Sequence, residues 1–401
     1  HASGKAKTLD LYLFTGPTLP DILDRFTQMT GRPALPPRWA LGYQQSRYSY
    51  RSREELEAIA GEFRSRRIPC DVLYLDIDSL DAYRVFTFGE SFPHPKKMLR
   101  DLSAKGFKVS AIVDPGVKND RAFPVLQRGK ANDAFVKKKG SRADFIGKVW
   151  PGPSRFPDFT NHNVRKWWGA EQARYQKSGL AGFWNDMNEP AIFDGPGKTL
   201  PEDCRHKTDF GPLPHSEVHN AYGMLMAQAS YEGARKAKPR QRPFIVSRGA
   251  TAGIQRHAAV WTGDNSSSWE QLAESIPMLL NLGLSGVPFC GADVGGFLDD
   301  CTGELLVRWT QLGAFTPFFR NHSNTGTRAQ EPWAFGENHE TICRGFIAFR
   351  YQLLPYIYST FAETKRSGTP IMRPLAWHFA NDPVAAKCSD QFLLGRDLLL
   401  A

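Results

Sequence analysis

The stretch "GLAGFWNDMNEPAIF" (residues 179–193) has the pattern of a buried strand that ends in a dense group of polar side chains. A small apolar run up to Trp184 reaches Asp186 and then continues into Asn188 and Glu189. Asp and Asn bond readily to nearby backbone amides, so a cap on the following turn explains Asp186 equally well in isolation. The rest of the chain is needed to choose between a local role and a chemical one.

The same apolar-then-polar pattern occurs eight times along the 401 residues and alternates with helical patterns. Near-continuous apolar strands that alternate with helices indicate a parallel sheet covered on both faces. Eight is the number of strands in a closed (β/α)8 TIM barrel, and this α/β fold is our prediction. The connection between the fifth and sixth strands is short, so its helix is expected to be reduced or absent. The predicted strands cover residues 39–46, 71–78, 107–115, 179–186, 242–249, 258–265, 286–293 and 316–323.

The intervening patterns predict helices, and the first of them starts with the Ser-x-x-Glu signature of a capping box. They cover residues 52–67, 94–106, 163–179, 216–236, 268–283, 303–315 and 337–366.

Three regions are expected along the chain. Residues 37–368 form the barrel, with insertions at about 118–161 after the third strand and about 191–214 after the fourth. Residues 1–36 are predicted to be the end of an N-terminal β-domain and a lead-in helix, and residues 369–401 the start of a C-terminal β-domain. Because both ends of the chain have strand-like runs, we expect both flanking β-domains to be truncated.

The composition, with 41% hydrophobic and 23% charged residues, is ordinary for a soluble enzyme. The net charge of +10 raises the question of nucleic-acid binding. However, the basic clusters at 64–67, 137–139 and 235–242 fall at predicted helix ends or in loops, where a solvated surface explains them. The chain contains no run of 18 uncharged apolar residues, and its start does not resemble a signal peptide, so we predict neither a nucleic-acid nor a membrane partner.

The cysteines are widely spaced and form no C-x-x-C pair, which favours a reducing compartment and hence a cytoplasmic location. They are Cys70, Cys204, Cys290, Cys301, Cys343 and Cys388.

The residues at the carboxyl ends of the predicted strands are the candidates for function, because a TIM barrel has its active site there. Converging carboxylates repel one another, and a protein tolerates them where one keeps its proton or where the site stabilises positive charge. Asp186 and Asp264, from the fourth and sixth strands, are the central pair. The other charged or titratable residues at these ends are Asp76, Asp114, Arg248, Asp293 and His322.

Two chemistries are compatible with this pattern. His215 and His219 have the i, i+4 spacing of a metal pair, but the position of the Glu differs from H-E-x-x-H and the pair begins a helix, so packing is favoured and no metal is predicted. Glycoside hydrolysis instead needs two carboxyl groups and a site that stabilises a cationic transition state. Aromatic residues near the same strand ends favour this second chemistry, because their flat faces stack on sugars; they are Trp150, Trp184, Trp261 and Phe297.

Four segments, "FWNDMNEP", "WTGDNSSSW", "FCGADVGGF" and "QLGAFTPFFRNH", resemble the signature segments of family 31 glycoside hydrolases, the retaining α-glucosidases. The resemblance extends over nearly the whole chain and implies that Asp186 is the nucleophile and Asp264 the acid/base. It also implies that Arg248 lies near this pair, where we expect it to keep the pKa of Asp186 low. Glu189 matches no catalytic position, and we expect it to be a structural partner of an arginine.

The resemblance assigns a further set of residues to substrate binding, with Asp76 and His322 on the sugar hydroxyls and the remainder in the acidic or apolar wall. That remainder consists of Ile77, Trp150, Met187, Trp261, Asp293 and Phe297.

The predicted function is therefore a retaining exo-α-glucosidase that removes terminal glucose from oligosaccharides without a cofactor. An α-transglucosylase and an α-xylosidase on the same fold remain alternatives, although "WNDMNEP" resembles the glucosidase branch. A catalytically silent sugar-binding homologue is an alternative from another class, and a metal-dependent barrel hydrolase is a more distant one.

Overall fold

The computed structural model of the chain describes residues 10–401, and at its centre lies the predicted barrel of eight parallel strands. Residues 1–9 of the strand-like run expected at the start of the chain lie outside the described residues, and residues 10–16 contain no strand. In chain order, the barrel strands are Gln44–Gln45, Val72–Leu75, Lys108–Val113, Gly182–Asn185, Ile245–Ser247, Ala259–Trp261, Cys290–Gly291 with Asp293–Val294, and Arg320–Asn321.

The seventh strand is divided into two short parts, and its two pairings close the barrel. Cys290–Gly291 pairs with the sixth strand, and Asp293–Val294 pairs with the eighth. The first strand pairs with both the second and the eighth, and every pairing in the barrel is parallel. The polar residues that follow all eight strands therefore emerge at one end of the barrel, as the sequence predicts.

The barrel has two apolar layers that follow the alternation of side chains along its strands. In the second strand, Val72 and Tyr74 belong to the cluster inside the barrel, whereas Leu73 and Leu75 belong to the cluster between strands and helices. Side chains on both faces of this strand are buried, which explains its continuous apolar run.

The helices cover the outside of the barrel. Between the fifth and sixth strands the chain forms only the short 3-10 turn Ile254–Arg256, which confirms that a full helix is absent there. Ser52 caps the helix that begins with a capping-box signature, since its hydroxyl accepts from the N–H of Glu55 at 3.2 Å. The α-helices are Leu19–Thr30, Arg53–Ser65, Pro95–Ala104, Pro124–Ala131, His162–Gln176, His215–Val218, Tyr222–Ala237, Trp269–Leu284, Gly303–Gly313 and Glu337–Ser367.

The two insertions contain small antiparallel sheets. The first has a sheet of Val117–Lys118, Gly147–Val149 and Gly152–Arg155, and the second has the hairpin of Arg205–Thr208 and Gly211–Pro214. The backbones of Lys137 and Arg205 exchange two hydrogen bonds of 3.0 and 2.8 Å, which join the insertions. A shared apolar cluster packs them onto the loop after the fourth strand; it includes Val149, Phe156, Met187, Ile192 and Leu200.

The end of the chain forms a separate antiparallel sheet of Met372–Pro374, Phe392–Leu394 and Leu398–Leu400. Among residues 10–401, none of the helices combines the length and the apolar character needed to cross a membrane.

Candidate active site

Asp186 lies directly after the fourth strand, with its side chain 16% exposed. The backbone N–H of Met187 donates to its Oδ1 at 2.8 Å, and the guanidinium of Arg248 contacts the same oxygen at 2.9 Å. Both contacts fall on Oδ1, so Oδ2 is the oxygen to which the described residues donate no hydrogen bond. A carboxylate held through one oxygen, with the other one free, has the geometry that a nucleophile requires.

The loop after the fourth strand is held by its neighbours. The amide of Asn188 donates to Ser247 Oγ at 2.9 Å and accepts from the N–H of Gly249 at 2.8 Å, which ties the ends of the fourth and fifth strands together. Met187 is buried with a φ of +54°, a left-handed conformation that is uncommon for a large side chain. Such backbone strain is frequent at functional sites, where surrounding contacts maintain it.

Arg248 connects Asp186 to Glu189. Its Nε and one terminal nitrogen donate to the two oxygens of Glu189 at 2.8 and 3.1 Å, a bidentate pair that leaves the other terminal nitrogen for Asp186. The expectation that Glu189 is the partner of an arginine is therefore confirmed.

The pKa of Asp186 does not follow our expectation. Burial raises its pKa above the ordinary value, and the positive charge of Arg248 opposes this rise without reversing it. The charges of Asp264 and Glu189 add to the rise. The expected lowering of the pKa is wrong because the desolvation of the carboxylate outweighs the ion pair.

Asp264 follows the sixth strand after a turn at Gly263, whose φ is +84°. Its side chain is exposed, and its negative charge raises the pKa of both Asp186 and Asp293, so the three carboxyl groups share one site. The next residue, Asn265, is buried and donates to the carbonyl of Asp293 at 3.1 Å. The loop that carries Asp264 is thus fixed to the seventh strand, while the carboxyl group itself faces the mouth of the barrel.

Asp76 follows the second strand and His322 follows the eighth, which are the two neighbours of the first strand in the barrel. Their side chains lie together beneath the mouth of the barrel. Asp76 Oδ1 accepts from the N–H of Ile77 at 2.6 Å, and its Oδ2 is 3.9 Å from His322 Nε2, which is too far for a hydrogen bond. Burial lowers the pKa of His322 well below its ordinary value and raises that of Asp76. A neutral imidazole and a carboxyl group at this spacing can each bond a separate hydroxyl.

A buried ion pair joins the seventh and eighth strands. Arg320 donates to Asp293 Oδ1 from two nitrogens at 2.7 and 3.1 Å, and both side chains are fully buried. Burial raises the pKa of Asp293 to about 7, although Arg320 opposes this shift. Sequence reasoning did not assign a role to Arg320; the signal available was a cation at one strand end that faces a carboxylate at the neighbouring end.

The aromatic residues divide into an interior and a rim group. Trp184 and Trp261 are only 2% and 3% exposed, and the Arg320 guanidinium lies 4.8 and 4.9 Å from their ring centroids. The expectation that Trp184 and Trp261 offer free faces at the rim is wrong, because both rings pack inside the barrel. Phe297 is partly buried and stacks on His322, with ring centroids 4.8 Å apart and planes at 19°.

Trp150 lies at the rim with 37% of its surface exposed. It packs edge to face against Phe193 at 4.9 Å, and the rings of Tyr48 and Tyr83 are 6.0 and 6.3 Å away. Sequence reasoning missed these three partners, since they come from three different loops without a common pattern. Ile77 and Met187, by contrast, are buried beneath the rim.

Several buried polar atoms around the strand ends have no hydrogen-bond partner among the described residues. In folded proteins such atoms bond to protein groups, ordered water or a ligand, so these atoms are available to a ligand that enters the mouth. They combine donors and acceptors, which suits a ligand with many hydroxyl groups. Within the described chain, the atoms around the strand ends are Asp114 Oδ1, Trp184 Nε1, Trp261 Nε1, Asp293 Oδ2, Arg320 NH1 and His322 Nδ1.

The described residues contain no cluster of three or more His, Cys, Asp or Glu side chains arranged to hold a metal ion. Asp114, at the end of the third strand, is buried, and burial together with the charge of Asp186 raises its pKa well above the ordinary value.

Comparison with known proteins identifies the family. The pattern described as "Glycosyl hydrolases family 31 TIM-barrel domain" matches residues 33–360, and "Glycosyl hydrolase family 31 C-terminal domain" matches residues 368–401. The chain belongs to glycosyl hydrolase family 31.

Three relatives illustrate the similarity. Alpha-glucosidase 2 of Bacillus thermoamyloliquefaciens is 50% identical over 400 residues, which are 100% of this chain and 51% of that protein. The crystal structure of the glucosidase II alpha subunit with bound alpha3-Glc2 superposes with a TM-score of 0.92 at 38% identity, over 95% of this chain and 42% of that one. The family 31 alpha-glucosidase from Bacteroides thetaiotaomicron has a TM-score of 0.87 at 44% identity, over 96% and 63%. The chain thus spans about half the length of the first relative.

Proposed function

We propose that this chain contains the catalytic barrel of a retaining exo-α-glucosidase, which removes terminal glucose from the non-reducing end of α-linked oligosaccharides. The observation that carries the proposal is the position of Asp186, held through Oδ1 by Arg248 and the Met187 N–H at the end of the fourth strand. Membership of family 31 and the names of the relatives, which include alpha-glucosidases from bacteria and mammals, support it.

In the proposed mechanism, Asp186 attacks the anomeric carbon and forms a glycosyl-enzyme intermediate while Asp264 protonates the departing oxygen. Asp264 then takes a proton from the water that hydrolyses the intermediate, and two inversions give net retention. The exposure of Asp264 supports its role, because the leaving group and the water both enter from the mouth.

The remaining side chains position the terminal sugar. Asp76 and His322 bind hydroxyl groups, and the buried pair of Asp293 and Arg320 supplies a fixed charge distribution behind the ring. Trp150 and Phe297 are the aromatic contacts nearest the opening, while Ile77, Met187 and Trp261 shape the wall from beneath.

The domain boundaries at residues 36 and 368 and the cytoplasmic location are part of the proposal. All six cysteines are free thiols, which supports a reducing compartment.

The test is proton NMR of the purified chain with maltose, in which the anomer of the glucose that appears first is identified. We expect α-glucose first, and no glucose from Asp186→Asn. Early β-glucose would contradict the retaining mechanism. Transfer products from maltose would indicate a transglucosylase, and activity on an α-xyloside alone would indicate a xylosidase. If there is no turnover at all, tight binding of a glucose-site inhibitor would support the silent sugar-binding homologue.

A further inference from the structure

A row of three histidines starts beside Asp158 of the first insertion and runs from the hairpin of the second insertion through the helical turns that follow it. His206 Nδ1 lies 2.8 Å from Asp158 Oδ1, His206 Nε2 lies 2.9 Å from His215 Nδ1, and His215 Nε2 lies 2.9 Å from His219 Nδ1. Each imidazole therefore uses both nitrogens, except that Nε2 of His219 is left at the outer end. His206 and His215 are each only 1% exposed.

The row is anchored on an ionised carboxylate. Burial alone would raise the pKa of Asp158, but hydrogen bonds from His206, the Thr160 hydroxyl and the Lys207 N–H outweigh it and lower the pKa. With Asp158 as an acceptor, His206 must donate from Nδ1, and its Nε2 must accept in the neutral state. The same logic makes His215 and His219 donate from Nδ1, so Nε2 of neutral His219 is an acceptor.

The outer end of the row lies beside the catalytic loop. The helix that begins at Tyr222, three residues after His219, packs its Gly223 so closely that an added Cβ would lie 2.9 Å from the carbonyl of Asn188. The negative charge of Glu189, the next residue, acts on His219 and opposes the lowering of its pKa by burial. Glu189 in turn holds Arg248 in a bidentate pair.

We propose that the row formed by Asp158, His206, His215 and His219 is a proton relay whose state sets the charge beside the Glu189–Arg248 pair. The histidines are positioning residues for Asp186, and this role rests on the function proposed above.

The relay operates by uptake of one proton. A proton binds Nε2 of His219, which passes its Nδ1 proton to Nε2 of His215, and His215 passes its Nδ1 proton to Nε2 of His206. The added charge then resides on His206, which donates from both nitrogens next to the Asp158 carboxylate, while His215 and His219 have exchanged their donor and acceptor nitrogens. His219 Nε2 has changed from an acceptor to a donor at the end of the row on which the negative charge of Glu189 acts.

The groups that face the relay explain why His215 and His219 are neutral at neutral pH. Burial lowers the pKa of His215 to about 3, with a further contribution from the two neighbouring imidazoles. The ionisable side chains around the row are Asp158, from the loop before the helix His162–Gln176, Tyr222, from the helix Tyr222–Ala237, and Glu189. Asp158 and Glu189 at the two ends both favour proton uptake, whereas burial of the middle opposes it.

The experiment follows the imidazole protons of the ¹⁵N-histidine-labelled chain by NMR and, separately, the rate of α-glucoside hydrolysis from pH 4 to 8. We expect the three hydrogen-bonded Nδ1–H signals to change together with one midpoint. Asp158→Asn should move that midpoint and the acidic limb of the rate profile to lower pH, by roughly one unit. His219→Gln should shift the acidic limb in the same direction, and His378→Gln, in the C-terminal region, should leave it in place.

Three independent midpoints, or an acidic limb that neither relay variant moves, would overturn the proposal. Because His219 is only half-buried, His219→Gln provides the result if Asp158→Asn does not fold. The imidazole titration needs no substrate, so a wild-type chain that does not hydrolyse α-glucosides would refute the proposed function while the NMR still decides on the relay.

Discussion

The guanidinium of Arg248 contacts Oδ1 of Asp186 at 2.9 Å, across the junction between the fourth and fifth barrel strands. Two further nitrogens of the same guanidinium donate to Glu189. Glu189 therefore fixes the orientation of Arg248, and Arg248 in turn orients Asp186. A planar fork is required for this arrangement, because three separate directions of donation must come from one rigid group.

Arg248→Lys is therefore expected to reduce activity even though the charge is kept. A lysine cannot donate in three fixed directions, so Asp186 would lose its orientation and we expect kcat to fall by roughly a hundredfold. Steady-state kinetics with an aryl α-glucoside measure this loss. A conservative surface change, Arg235→Lys at the end of the helix Tyr222–Ala237, serves as the control and should leave kcat unchanged.

Asp186→Ala should abolish hydrolysis but respond to azide. Without the nucleophile, we expect turnover of an aryl α-glucoside to fall by roughly a thousandfold or more. Azide can enter the space of the lost carboxylate and attack the anomeric carbon once, so the expected product is β-glucosyl azide. Product analysis by NMR checks this; rescue that yields the α-azide would assign the nucleophile elsewhere.

Asp264→Ala should have a different signature. A leaving group that needs no proton, such as fluoride, should still depart, whereas cleavage of maltose should be lost. Azide should then attack the glycosyl-enzyme intermediate and give α-glucosyl azide, because two inversions have occurred. Comparison of glucosyl fluoride and maltose as substrates provides the measurement, and equal losses on both would argue against an acid/base role.

Gly249→Ala should damage the site through packing alone. A Cβ at this position would lie 2.7 Å from the carbonyl oxygen of Asn188, so the loop that carries Asp186 would have to move. We expect a loss of about 1–3 kcal/mol in the free energy of unfolding, together with a decrease in kcat. Gly61→Ala is the matched control: nothing lies within 4 Å, and alanine should stabilise this helix by about 0.5–1 kcal/mol.

Asp293→Asn should change how stability depends on pH. The pKa of Asp293 in the folded chain is about 7, above the roughly 3.9 of an unfolded Asp, so the folded state binds more protons between these values. The resulting stabilisation is present below about pH 4 and is lost as the pH rises toward 7. Because asparagine does not titrate, the Asp293→Asn variant does not lose stability in this way as the pH rises.

The free energy of unfolding of Asp293→Asn, relative to the wild type, should therefore rise between pH 5 and pH 8. Urea unfolding at several pH values measures this difference, and Glu54→Gln, at an exposed position in the first turn of its helix, should show no trend. A difference that becomes more unfavourable with pH would contradict a raised pKa for Asp293.

The positions of the strand ends were predictable because apolar strand patterns and helical patterns alternate regularly along the chain. Apolar runs that alternate with helices indicate a parallel barrel, and the carboxyl ends of parallel strands meet by geometry, so Asp186, Asp264 and Asp293 had to lie near one another. The reduced connection before the sixth strand was predictable for the same reason, since it leaves too few residues for a helix.

The burial of Trp184 and the direction of the Asp186 pKa were predicted incorrectly. Which face of a ring is free, and how strongly a carboxylate is desolvated, depend on side chains that arrive from distant parts of the chain. Arg320 packs against the ring of Trp184, and the burial of Asp186 outweighs the opposing charge of Arg248.

By itself, then, the sequence determined the barrel, the order of its strands and the residues that each strand presents at its carboxyl end, because periodicity and chain direction are local properties. Only the tertiary structure decided the Asp293–Arg320 pair, the rim around Trp150 and the histidine row that begins at Asp158. The first contact depends on how two neighbouring strands turn their side chains into the barrel, and the other two depend on how the loops and insertions pack against it.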